Sequence, residues 1–154
     1  APSSTSAVFR IKAREPENRE SMARHPGVFD TLIDICMSTT AEVQDRDNAL
    51  RAIIHFVNEK KNHKIICNMA ILDALVVGAD YEGMALEGAR DSAIRALERM
   101  ATEFSNRAHM ARHPGLLIAV AKAVEREAKA EDAGKESEHG YLAKPLLMSL
   151  LLAM

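Results

Sequence analysis

The segment NRAHMARHPGLLIAVAKA, Asn106 to Ala123, repeats in its first half a pattern met 88 residues earlier as NRESMARHPGVFDTLIDI, Asn18 to Ile35. Midway, 44 residues from each, Asn62 opens a weaker copy, NHKIICNMAILDALV. A chain that returns to one pattern at a fixed period builds its core by stacking like units, because a single unit of that length cannot bury its own apolar side. The repeat constrains the fold more than any other feature of the sequence.

Within each unit the apolar residues recur at helical spacing. Asn18 is expected to cap a short helix from Arg19 to Arg24 with Met22 inward, and His25, Pro26 and Gly27 turn the chain into a second helix. There Val28, Phe29, Leu32, Ile33, Ile35 and Cys36 lay one broad stripe along the helix. After the polar linker 38–45, a longer helix over about 47–58 carries Ala49, Leu50, Ile53, Ile54 and Val57 on one face. The second unit replaces His-Pro-Gly by NMA with one residue deleted, so that Ile66, Ile71, Leu72 and Leu75 stand for Met22, Val28, Phe29 and Leu32. A loop with Gly78, Gly83 and Gly88 leads to Asp91, and Ala93, Ile94, Ala96, Leu97, Met100 and Ala101 reproduce the long helix. The third unit opens at Asn106, keeps His113, Pro114 and Gly115, and continues with Leu116, Leu117, Val120, Ala121 and Val124. Gly27 and Gly115 are expected where a side chain would crowd the helix-to-helix corner.

The ends depart from the period. Residues 3–15 form the last helix of an incomplete unit, capped by the serines at its start and stopped before Pro16. Residues 125–139, with six acids against three bases, read as a solvated helix end and a loop. Tyr141 to Met154 is a closing helix, apolar nearly all round, so more than one of its sides is expected to be buried. The chain thus divides into one domain, 1–154, with a partial unit 3–15 and units over 18–58, 62–102 and 106–154. Eight methionines with many Ala and Leu, and only 4 % aromatic residues, favour helix over strand, so the fold class is all-α.

Three helices per unit and a 44-residue period resemble the armadillo repeat family, most plainly in NALRAIIHFVNEKKNHKIICNMAILDALV, residues 48–76. The resemblance covers residues 3–124 and, more loosely, the last helix. It implies a right-handed superhelical α-solenoid of about three repeats whose third helices line a concave groove for an extended peptide or protein partner. In the importin-like branch those helices carry a Trp and, four residues on, an Asn. Here the matching positions hold Arg51 and His55 in one unit and Arg95 and Arg99 in the next, so a basic nuclear-import signal would be repelled.

These four residues are the candidate groove. The period is expected to set Arg51 and His55 beside Arg95 and Arg99 at a helix separation of roughly 8 to 10 Å, a charge arrangement suited to an acidic or phosphorylated segment. The plainer reading is a solvated face relieved by Glu59 and Glu103. The expected function is a non-catalytic scaffold or adaptor; the alternatives are a structural subunit fixed in a larger assembly through its ends and, less favoured, a nucleic-acid binder. The apolar tail offers Leu147, Leu150 and Leu151 for such an end contact, with a partner, a second copy or further repeats.

Other chemistry is not expected. His109 and His113 lack the glutamate of a zinc motif and recur in a turn context, Cys36 and Cys67 lie in apolar runs as core thiols, and Lys60, Lys61, His63 and Lys64 suit a solvated edge. No metal, cofactor or catalytic site is expected, and a net charge of -2 gives no general attraction to phosphate backbones. The thiols suit a reducing intracellular compartment, most simply the cytoplasm. Ala1 in place of an initiator Met fits either a processed organelle precursor or a cloned fragment. The most apolar stretch, Leu146 to Met154, is far short of the roughly 20 residues that span a bilayer.

Overall fold

The computed structural model describes residues 4–82, 87–136 and 140–154, and every regular element among them is helical. Ten α-helices follow in order: α1 Thr5–Ala13, α2 Pro16–Arg24, α3 Pro26–Met37, α4 Val43–Asn58, α5 His63–Ile66, α6 Met69–Ala79, α7 Glu87–Met100, α8 Phe104–Arg112, α9 Leu116–Asp132 and α10 Ala143–Leu152. A 3-10 turn, Lys60–Asn62, joins α4 to α5.

Local chemistry sets the boundaries. Ser4 accepts from the Ala7 amide at 3.2 Å to cap α1. Prolines open α2 and α3 at the first helical position, where their missing N–H costs no hydrogen bond. His25 caps α3 by accepting from the Gly27 amide through Nδ1, and Asn68 caps α6 by accepting from Ile71 at 3.0 Å. The long helix of the first unit begins at Val43, four residues before the expected Asp47, and α9 continues to Asp132, through much of the segment expected to be loop. Both extensions carry polar, strong helix formers that solvent accommodates as readily as a loop would.

The two His-Pro-Gly turns share letters but not geometry. Gly27 lies inside α3, whereas Gly115 precedes α9 with a left-handed φ of 91°. A Cβ on Gly115 would meet nothing within 4 Å, so this glycine serves its backbone angle and the crowding expected at that corner is absent. At Gly27 the expected crowding is present, since a Cβ would stand 3.2 Å from the His25 ring; the closest packing falls on Gly78, which lies buried in α6, not in a loop. A Cβ there would stand 3.0 Å from Leu50 and 3.3 Å from Ala93. Gly88 lies in α7, and Gly83 lies outside the described residues.

The helices pack in three rows. In the first, α1 lies on α4 and α4 on α7; in the second, α3 lies on α6 and α6 on α9; in the third, α2 lies on α5 and α5 on α8. The core runs between the first two rows, through Leu32, Leu50, Ile53, Phe56, Ile71, Leu75, Leu97, Met100 and Leu116, all essentially inaccessible. Each such side chain contributes roughly 1.5 to 3 kcal/mol relative to exposure. Phe29 and Phe56 meet edge to face at 5.3 Å. The last helix, α10, packs on α9, α8 and α7, and Pro145 falls in its first turn.

Asn18 does not cap a helix as expected, and the asparagines that mark the repeat share another role. Asn18 and Asn106 lie inside α2 and α8, and all three reach backward with their side-chain amides. Asn18 Nδ2 donates to Lys12 O at 3.1 Å, Asn62 Nδ2 to Phe56 O at 3.0 Å and Asn106 Nδ2 to Met100 O at 3.0 Å. The next residue in each case takes the next carbonyl: Arg19 Nε donates to Ala13 O, His63 Nε2 to Val57 O and Arg107 Nε to Ala101 O, at 2.6 to 2.8 Å. Two of the asparagines also bridge to the preceding unit, Asn62 to Arg19 O at 3.2 Å and Asn106 to His63 O at 2.9 Å. Helix C-termini leave carbonyls without intrahelical donors, and these amides supply them. His63 is thereby buried in the clasp, away from the solvated cluster in which its lysine neighbours place it.

Removing this buried double donor takes the side-chain amide from His63 O and leaves Met100 O with the Glu103 amide alone, so Asn106→Ala should cost roughly 1 to 3 kcal/mol. Asn18→Ala, whose single bond is exposed, should stay within about 0.5 kcal/mol. Equal losses in urea denaturation would show that the bridge between units is not what these residues contribute.

Candidate functional site

The row α1, α4, α7 carries the charged face. Because α4 and α7 pack side by side, Arg51, His55 and Arg95 come onto one surface, half-buried, with Arg99 exposed one turn beyond Arg95. Arg51 Nε pairs with Asp47 at 2.9 Å within α4, and Arg99 Nε lies 3.7 Å from Glu98. The acids beside Arg51 and Arg99 are thus their helical neighbours Asp47 and Glu98.

The structure adds three residues that the sequence reading did not single out. Arg10 and Arg14 of α1 and Arg19 of α2 belong to the same positive region, since their charges, together with that of Arg95, depress the basicity of His55. Burial is the larger cause, followed by Arg19, Arg14, Arg10 and Arg95 in that order. Arg10 is itself held down by burial, then by Arg51 and Arg14. Its Nη1 donates to Asn48 at 2.8 Å, while its Nε and the Nδ1 of His55 are buried without a hydrogen-bond partner. The signal that could have found these residues is the i, i+4 spacing of Arg10 and Arg14. Transposed by 44 residues they fall on Ile54 and Asn58, one place before and three places past His55, so a strict register search passes over them.

Beside Arg51 and Arg95 a cleft of about 390 Å³ opens between α7, α9 and the segment leading into α10. Its walls mix signs, with Arg126 and Glu127 of α9 and Asp91 of α7, and Tyr141 at one edge. Arg126 Nη2 donates to Ala79 O at 3.0 Å, closing the C-terminus of α6. Glu127 accepts from the Ala143 amide through both carboxylate oxygens, at 3.0 and 3.2 Å, which pins the start of α10. Burial raises the Glu127 carboxyl above its ordinary range, and the Ala143 and Leu142 amides oppose the rise.

The remaining candidates resolve individually. His113 is buried and donates through Nε2 to Asp73 at 2.6 Å, while His109 is exposed. Burial pushes the Cys36 thiol up to about 12 and Cys67 up to about 11, which suits core thiols without nucleophilic character at neutral pH. Among the described residues no group of three or more His, Cys, Asp or Glu side chains could hold a metal ion, and no helix is long and apolar enough to cross a membrane. At the tail, Leu150 is completely buried against the preceding helices and cannot make the end contact expected of it; Leu147 is half-buried, and Leu151 is 47 % exposed. The apolar surface that α10 does present is Met148, Leu151, Leu152 and Met154, so one side of the helix is covered within the chain and the other is not.

Compared with family models, curated proteins and solved structures, the chain finds no match in any of the three.

The depressed basicity of His55 has a consequence for stability. The unfolded chain takes up a proton at this residue near the ordinary value of 6.5, while the folded chain resists it, so folding stability should fall as pH drops below about 6.5. His55→Gln should flatten that decline in thermal melts between about pH 7 and pH 5. An unchanged slope would place the acid sensitivity elsewhere.

Proposed function

We propose that this chain is an armadillo-like α-solenoid that works as a protein-binding scaffold or adaptor, holding an acidic, phosphorylated or otherwise extended partner segment along the face of α1, α4 and α7. The carrying observation is the convergence on that face of Arg10, Arg14, Arg51, His55 and Arg95 from three stacked helices, α1, α4 and α7, with Asp47 paired to Arg51. The repetition of the asparagine clasp at 44-residue intervals supports the solenoid, since each unit is fastened to its predecessor in the same way. Guanidinium groups recognise carboxylates and phosphates through paired donors, which is the chemistry this face offers.

The prediction is direct. Hexaglutamate, alone or carrying one central phosphoserine, should bind the protein and lose affinity as salt rises, because screening acts over about 10 Å at 0.1 M ionic strength. Changing Arg51, Arg95 and Arg99 together to Glu should abolish this binding while far-UV circular dichroism stays unchanged. Binding that survives both the triple change and high salt would refute the groove.

A second reading, a structural subunit held in a larger assembly by its end, is favoured by the uncovered side of α10, with Leu152 83 % and Met154 78 % exposed. Replacing Leu151 and Leu152 with Lys should then disrupt a stoichiometric complex, or reduce self-association and binding of a hydrophobic dye. A chain that is monomeric and dye-silent at high concentration, with or without the substitutions, would remove this reading.

A further inference from the structure

The charges around His55 are arranged unlike those around Arg99. Arg99 is exposed and has Glu98 beside it, whereas His55 is enclosed by arginines from three other helices: Arg10 and Arg14 of α1, Arg19 of α2 and Arg95 of α7. Among the described residues, no carboxylate is one of the charges that shift it. Arg19 is committed to the carbonyls of Ala13 and Arg14, and Arg10 spends one nitrogen on Asn48. Arg14 is exposed, and among the described residues its guanidinium makes no hydrogen bond or ion pair. Two ring or guanidinium nitrogens, His55 Nδ1 and Arg10 Nε, are buried without a partner on adjoining helices. Positive charge gathered so closely is unfavourable until an anion answers it.

Resting on the groove reading above, we propose that this end of the face is a subsite for one anionic oxygen group of the partner, a carboxylate or a phosphoryl group, held by Arg10 and Arg14 and sharing a proton taken up by His55 on binding. The imidazole is the one member of the cluster whose charge can change near neutral pH. In the empty site burial, and after it the repulsion of the surrounding arginines, keeps it neutral; a bound anion cancels that repulsion and attracts the imidazolium, with the proton drawn from solvent. Binding and protonation are then linked, each favouring the other. On the titrating side, α1 contributes Arg10 and Arg14, α2 Arg19, α7 Arg95, and α4 itself Arg51 with Asp47.

The test uses hexaglutamate and the same peptide with one central phosphoserine, titrated calorimetrically into the full chain between about pH 8 and pH 6, in buffers of different ionisation enthalpy. For hexaglutamate, affinity should rise at least about threefold per pH unit toward pH 6, against a ceiling of about tenfold for one proton, with buffer-dependent heats showing proton uptake. His55→Gln should remove both effects, while His109→Gln, at an exposed histidine outside the face, should keep them. Arg14→Glu, at an exposed position where folding is not at risk, should weaken binding about tenfold at every pH. A His55-dependent slope for both peptides identifies a carboxylate as sufficient, and a slope confined to the phosphoserine peptide identifies a phosphoryl group. Peptides that bind without proton uptake, or with a slope that persists in His55→Gln, overturn the subsite and leave the groove standing. If neither peptide binds at any pH, the groove and the subsite fall together.

Discussion

The structure depends on how its helices of the first row end. An α-helix leaves its last carbonyls without donors, and in a stacked all-helical chain those carbonyls lie where the next unit must pack. Here Arg19, His63 and Arg107 supply donors to Ala13, Val57 and Ala101 from six residues downstream, and the side-chain amides of Asn18, Asn62 and Asn106 add a second donor to carbonyls that the closing backbone amides already reach. Because Asn62 and Asn106 also reach a carbonyl of the unit before, one polar device both terminates a helix and fixes the spacing of its neighbours. The apolar core supplies most of the driving force, but it is less particular about register than a donor that must meet two oxygens.

That spacing creates the charged face. Side chains on α4 and α7 at positions 44 apart are brought level, so Arg51 and Arg95 become neighbours although nothing in either helix alone requires it. The same stacking carries α1 alongside, adding Arg10 and Arg14. Electrostatics on this surface is therefore a property of the stack and not of any one helix, which is why the imidazole of His55 responds to arginines on three other elements.

Much of this was legible in the residues alone. The all-helical class, the period, the apolar stripes of α3, α4, α6 and α7 and the pairing of Arg51 with Arg95 follow from spacing, since helical periodicity and a fixed repeat are local signals. What spacing could not convey was the role of the marked residues. Asn18 looks like a cap in the sequence, yet it and its counterparts Asn62 and Asn106 work as backward clasps, because an acceptor six residues upstream is defined by the turn between helices. Leu150 and Leu151 are adjacent and chemically identical, but one is covered by the helices before it and the other faces out; only the angle at which α10 settles, set in part by Glu127 on the Ala143 amide, tells them apart. Arg10 and Arg14 escaped notice because α1 contributes through proximity and not through register.

The two glycines at 78 and 115 show that one residue type can answer opposite demands. At 78 the chain asks for smallness: the backbone is ordinary helix, but Leu50 and Ala93 occupy the volume a methyl group would need. At 115 it asks for handedness, with a φ of 91° and open space on every side. Any L side chain at 78 would press on Leu50 and Ala93, whereas asparagine, which tolerates the left-handed region, is an acceptable substitute at 115. Drift in the sequence should therefore run along different paths at the two positions, one limited by volume and the other by chirality.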